Sequence, residues 1–248
     1  MRSILYSELI KLKGSKILWM VAVGAFLPAI LLLLTASNIV HSGRHLTFLM
    51  LIQNAFFFLN LIMGPPLFCL IAGFVVAREN QDKTINQLFM YPQSRVLFCL
   101  GKWFVLLPII FITILLLFIL VILMGAVYFH LPITASQFIH YLLTVLLVIA
   151  LQWLLTPLSM GVSMVGKSYI PSMVLGIAMV LCSIFAFQSE KYNSFFPYSA
   201  VANLMYNWLG EPITQFHLIT SFLTITITFV ATLIFCTIYY ARSSIHNG

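Results

Sequence analysis

The sequence predicts an all-α polytopic membrane protein with six transmembrane helices, and three observations carry that prediction. Of 248 residues, 62% are hydrophobic and only 7% are charged, against about 25% charged in an average soluble domain. The apolar residues gather at 17–39, 48–77, 103–129, 138–165, 170–187 and 218–240, and crossing a hydrocarbon core of about 30 Å takes roughly 20 residues. With the N-terminus inside, Arg2, Lys11, Lys13, Lys16, Arg78, Lys83, Arg95, Lys102, Lys167 and Arg242 fall on the inner side, and only Arg44 and Lys191 on the outer. That asymmetry sets orientation. Both termini are therefore expected in the cytoplasm, and residues 1–248 form one transmembrane unit.

The same topology accounts for the net charge of +7. Basic residues spread over separate inner loops suit anionic lipid headgroups, and no nucleic-acid partner is implied. The first apolar run is too long for a signal-peptide core, with no clean small-residue cleavage site after it, so it counts as a span. Cys69, Cys99, Cys182 and Cys236 lie in or at the ends of spans without C-x-x-C spacing, which implies neither a disulfide framework nor a zinc site.

The second span carries Gln53, Asn54 and Asn60 ahead of Pro65 and Pro66. Consecutive prolines are expected to break it near its middle and free backbone carbonyls, an arrangement tolerated at membrane depth inside protein or along a cavity. Two readings stay open: a span lining a transport path, or a kinked packing helix whose amides bond to neighbours. Gln152, Thr156, Pro157 and Ser159 of the fourth span carry the same ambiguity. The threonines of the last span, Thr220, Thr224, Thr226, Thr228 and Thr232, point in several directions and are expected to bond to their own helix or a neighbour.

The one long inner loop, 77–102, is the most charged stretch of the chain. Ile85, Leu88 and Phe89 fall on one helical face at i, i+3, i+4, and Lys83, Asn86, Gln87 and Met90 on the other, before Pro92 ends the pattern. So short a helix needs a support, either lipid or another protein. Its polar face is amide-rich and mixed in sign where lipid-binding helices are dominated by Lys and Arg, which favours a protein.

Residues 161–168 read GVSMVGKS, a literal match to the phosphate-binding loop pattern G-x-x-x-x-G-K-[ST]. That chemistry needs a strand before the loop and a long helix after it. Here a Leu-rich helical run precedes Gly161, and Pro171 follows closely. None of the five acids, Glu8, Glu79, Asp82, Glu190 and Glu211, ends an apolar strand as a magnesium-binding Asp does. The glycines are read as helix-packing residues and Lys167 as the anchor of an inner turn.

Outside, Val201, Leu204, Met205 and Trp208 recur at i, i+3, i+4, i+7 behind Pro197, with Gly210 and Pro212 closing the stretch. This predicts a short amphipathic helix at the outer surface, with Phe195, Phe196, Tyr198 and Tyr206 as interfacial anchors. Phe196 and Trp208 are candidates for an extracellular lid, with plain lipid anchoring as the alternative. His41 and His45 have the spacing of a zinc helix, but Ser42 replaces the needed Glu and no third ligand is evident. No metal is expected.

The run E-x-x-x-x-T-I-x-x-L-x-x-x-P-x-S-R, carried by Glu79, Thr84, Ile85, Leu88, Pro92, Ser94 and Arg95, resembles the coupling loop of ABC exporter permeases of the type-2 class. More narrowly it resembles the bacitracin-resistance and lantibiotic-immunity permeases. The opening SELIKLKGSKILW, 7–19, is similar to the same group's N-terminal signature. There a short interfacial helix with an acid and several lysines, here Glu8, Lys11 and Lys13, precedes the first span. The resemblance implies that Glu79, Asp82, Lys83, Thr84, Ile85, Leu88, Phe89 and Arg95 couple to a separate cytoplasmic ABC ATPase present in two copies. It also implies a second six-span permease, the same chain or a different one, and a bacterial cell membrane. ATP and magnesium then belong to the ATPase, and this chain holds no cofactor. Its implied cargo is a membrane-active peptide, exported for immunity or resistance. A secondary transporter or a polytopic membrane enzyme acting without an ATPase is the alternative, although a carboxylate deep in a span, usual in ion-coupled transport, is lacking.

Overall fold

Apolar sequence in lipid must satisfy its own backbone polar groups, which leaves helices or closed barrels as spanning structures. The computed structural model describes residues 17–81, 95–189, 191–210 and 218–242. Among them, six helical stretches are long and apolar enough to cross a membrane: Trp19–His41, Phe48–Arg78, Val96–Tyr128, Ala135–Gly166, Ile170–Gln188 and Leu218–Ala241.

The elements in order are α1 (Ile17–His41), α2 (Phe48–Phe57), a π-helical turn (Phe58–Met63), α3 (Gly64–Gln81) and α4 (Arg95–Leu123) with a second π turn (Met124–Tyr128). There follow α5 (Ala135–Gly166), α6 (Ile170–Gln188), α7 (Pro197–Trp208) and α8 (Leu218–Arg242). Their starts have local causes. The Thr47 hydroxyl accepts the Met50 N–H at 3.3 Å to open α2, and Thr134 with Gln137 forms a reciprocal capping box at α5. Both satisfy amides that a helix N-terminus otherwise leaves open. Proline begins α7 at Pro197, where its missing N–H removes no helical bond.

α3 is the centre of the bundle, packed by α6 and α5 and touched by α1 and α4, while α8 lies on α5 and α7. Small residues bring α3 and α6 together. A Cβ on Gly176 would stand 2.6 Å from Pro66 Cα and 2.8 Å from Pro65 O, and one on Gly73 2.7 Å from Ser172 Cβ. Lipid gives helices no hydrophobic reason to associate, so close backbone approach and interhelical hydrogen bonds do that work.

Three expectations are corrected. Pro65 and Pro66 do not break the second span: the helix runs through them, widened by one π turn just before. Both N–H groups that could serve Leu61 O, at i+4 and i+5, are lost to proline, and the Ser183 hydroxyl from α6 stands 3.4 Å from that carbonyl. Pro157 is handled alike. It deprives Trp153 O of its helical donor, and that oxygen accepts from Trp103 Nε1 at 3.4 Å and Thr156 Oγ1 at 2.8 Å. Neighbours re-satisfy the freed carbonyls, so the helices need not break.

The third span starts earlier than predicted, because α4 opens at Arg95 and α3 continues to Gln81. Lys102 is therefore not a loop residue but a buried one, 1% exposed. Its apolar stem packs into the bundle, and Nζ donates to Val75 O at 3.3 Å.

α7, finally, does not lie on a surface: nine of its 12 residues, Tyr198 to Tyr206, are buried. Tyr198 and Tyr206 are consequently core residues rather than interfacial anchors. The apolar stripe at Val201, Leu204 and Met205 is real, but the polar side with Ser199 and Asn203 is covered too, and only the end at Trp208 is open, at 49%.

Candidate functional site

The second span presents two unlike faces. One is polar and closed. Asn60, fully buried, accepts from Gln152 Nε2 of α5 at 2.8 Å and directs its own amide toward Met205 Sδ of α7 at 3.6 Å. The Tyr206 hydroxyl lies 3.5 Å from Gln53 O, and Tyr198 OH lies 3.5 Å from Cys69 Sγ. As α7 advances from 198 to 206, its partners on the second span retreat from 69 to 53, so the two run antiparallel. The Pro197 end of α7 is thus the deep end. Of the path candidates, Gln53 and Asn60 are buried within the chain and Asn54 is half-buried.

The other face is apolar and open. Met63, Pro66, Leu67 and Leu70 form the floor of a groove of about 410 Å³ walled by Trp19, Val23 and Gly24 of α1 and by Met173 of α6. That volume falls in the range of ligand-binding clefts, about 300–1,000 Å³. The floor residues follow i, i+3, i+4, i+7 along a span whose polar residues drew attention elsewhere. The signal was present: this periodicity continues through the Pro-Pro pair, the place where a break was expected.

The phosphate-loop pattern fails on the side that precedes it, where helix replaces the required strand, but Pro171 does not bar a long helix after it: it lies in the first turn of α6, where its missing N–H removes no helical bond. Gly161 to Gly166 belong to α5, and Lys167 ends that helix in a left-handed conformation with φ 49°. A Cβ on Gly161 would press on the Phe235 ring at 3.1 Å, so this glycine serves packing against α8. The last-span threonines bond back as expected: Thr226 Oγ1 to Phe222 O and Thr232 Oγ1 to Thr228 O, with Thr224 Oγ1 reaching both Thr220 O and Ser194 O. The described cysteines are free.

At the other end of the bundle the chain leaves α3 for the segment that enters α4. Glu79 lies near the end of α3 and Arg95 opens α4. Asp82, Lys83, Thr84, Ile85, Leu88 and Phe89 lie outside the described residues, as do Glu8, Lys11 and Lys13. α3 and α4 are joined where Lys102 Nζ reaches Val75 O, about two turns along each helix from Gln81 and Arg95.

Residues 4–183 match the family described as ABC-2 family transporter protein. The chain belongs to that family. It is also similar to the bacitracin transport permease protein BCRB of Bacillus licheniformis, with 25% identity over 192 residues that cover 76% of this chain and 89% of that relative. An ABC-2 chain is a permease: a multi-pass membrane subunit that is not itself the catalyst. The alternative of a secondary transporter or membrane enzyme working alone falls with that assignment.

Proposed function

We propose that this ABC-2 permease forms the membrane part of an ATP-driven exporter for a membrane-active substrate, a peptide antibiotic or bacteriocin, in immunity or resistance. The observation that carries the reading is the groove between α1 and α6, wholly lined by apolar side chains and open at the side of the bundle. A molecule already partitioned into lipid reaches such a groove laterally, with no polar group to desolvate on the way. The similarity to a protein named for bacitracin transport supports the same substrate class. In this reading a cytoplasmic ATPase, in two copies and carrying ATP and magnesium, grips residues 82–94. A second six-span permease completes the path, in the cell membrane of a bacterium with both termini inside. Glu8, Lys11 and Lys13 seat the N-terminal stretch at the interface, and of the two lid candidates only Trp208 stands at the outer end of the path, Phe196 being at the deep end of α7.

The test is to measure co-purification and ATP hydrolysis together. If Ile85, Leu88 and Phe89 enter a groove on the ATPase, each buried side chain contributes roughly 1.5–3 kcal/mol, less the cost of ordering. Leu88→Asp buries an unpaired charge there and should detach the ATPase. Glu79→Gln should retain it while uncoupling hydrolysis from export. Full ATPase binding and normal export by Leu88→Asp would sink the reading.

A further inference from the structure

Among the described residues, six buried side-chain polar atoms have no hydrogen-bond partner, and five of them belong to Asn193, Ser194, Asn203 and Ser221. All four residues are more than nine-tenths buried, at 0%, 3%, 8% and 1% exposed. Two hydrogen bonds and single helical turns link them. The Ser199 hydroxyl on the first turn of α7 reaches Asn193 O at 2.7 Å, and Asn203 follows one turn later on the same helix. Thr224 Oγ1 donates to Ser194 O at 2.8 Å, and Ser221 precedes Thr224 by one turn of α8. Thr224 lies about 9 Å along α8 from Leu218 at ~1.5 Å per residue, so this neighbourhood lies nearly two turns in from the start of that helix. The N-terminus of α7 opens here as well. Its N-cap, Phe196, makes no side-chain bond to the first amides, leaving the donors that every helix start must place.

We propose that this neighbourhood is a water site: a hydrated polar pocket on which the buried end of α7 rests. Orphaned polar groups at membrane depth are expensive, and native interiors leave few of them. The inventory selects the ligand. Asn193 offers a donor and an acceptor, Asn203 a donor, and the two serines groups that can be either. This set is mixed and uncharged. An anion would leave Asn193 Oδ1 facing like charge, and a cation would find too few acceptors, whereas water, with two donors and two acceptors, bridges all of them as buried water does elsewhere. The adjacent face of α7 provides a dry reference, where Val201 and Leu204 pack on Leu151, Leu155 and Ile225. Seated on water, α7 can shift by exchanging hydrogen bonds with solvent instead of breaking protein–protein ones, because bridged bonds are nearly as favourable as direct ones. The inference concerns the permease chain by itself and stands whether or not the exporter reading holds.

The experiment uses the full chain in lipid nanodiscs. If water fills the pocket, Ser194→Ala and Ser221→Ala each remove a satisfied group and lower Tm by about 2–4 °C, the shift a lost hydrogen bond produces in a chain of this length. In a dry pocket the same changes delete an unpaired polar atom, and Tm stays level or rises. As a second readout, Ser221→Cys places a thiol whose S–H infrared band reports access of D₂O. It should exchange at least about tenfold faster than the native buried thiols Cys69 and Cys236, given direct contact with internal water. A level or raised Tm in both alanine variants, or an S–H band that persists in D₂O as long as those of the native thiols, overturns the proposal.

Discussion

α7 and α8 are neighbours in sequence and in space, and they invert the rule that apolar residues go inside. α8 is a long hydrophobic span of which only 11% of the central window is buried, while α7, holding Ser199, Asn203 and Asn207, buries nine of 12 residues. In water the assignment would be reversed. In lipid, Ile227, Val230 and Ile234 of α8 gain nothing by leaving the bilayer, whereas polar side chains and a helix terminus must be taken inside to find partners. Burial here follows hydrogen-bonding need and closeness of fit rather than hydrophobicity.

The comparison can be broken or sharpened by substitution, and the largest effect is expected where fit is closest. Gly176→Val drives a side chain into the Pro65–Pro66 backbone, which cannot yield as a rotamer would. A loss near 3 kcal/mol, the upper part of the usual overpacking range of ~1–3, should appear as a collapse in folded yield and Tm. Leu204→Ala in α7 comes next: with lipid as apolar as the core, only packing is forfeited, so about 2 kcal/mol is expected, the low end for Leu→Ala. The Asn60–Gln152 bond should register less. A double-mutant cycle with Asn60→Leu and Gln152→Leu is expected to give a coupling of about 0.6 kcal/mol, with ~1.7 as the ceiling seen for such pairs in membranes. Ile227→Ala on the lipid face of α8 closes the series, at under about 0.5 kcal/mol. Should it cost as much as Leu204→Ala, α8 is covered by protein rather than lipid, and the contrast between the two helices ends.

Much of this was legible in the chain. The apolar runs placed six helices because length and hydropathy alone decide what can span a bilayer. The false phosphate loop was recognisable from the helical run before it, though not from Pro171, which sits in the first turn of α6 rather than barring it, and Gly161 proved to be a packing glycine against Phe235. Other features were not legible. Pro65 and Pro66 announce two lost donors, but whether a helix breaks there depends on what stands opposite, and Ser183 lies 122 positions away in sequence. Lys102 reads as a loop cation seven positions after Arg95, and only its reach to Val75 O turns it into a buried clasp. The face of the second span that draws the eye, with Gln53 and Asn60, is the one that packs inward, and the groove lies on its unremarked apolar side.

The sequence by itself determined the membrane, the number of spans, the helical start at Pro197, and, through residues 4–183, the family. These are local or compositional properties, carried by windows of about 20 residues, a single proline or a run of sequence. Tertiary structure alone decided that α7 turns back into the bundle, that proline-freed carbonyls find Ser183 and Trp103, and that α1 and α6 stand apart far enough to leave a groove. The physical reason is that nearly every candidate contact surface in this chain is apolar and so, in lipid, nearly equivalent. Which of them meet is settled by where a glycine allows close approach and where an orphaned polar group finds its partner, and neither is written in any single stretch.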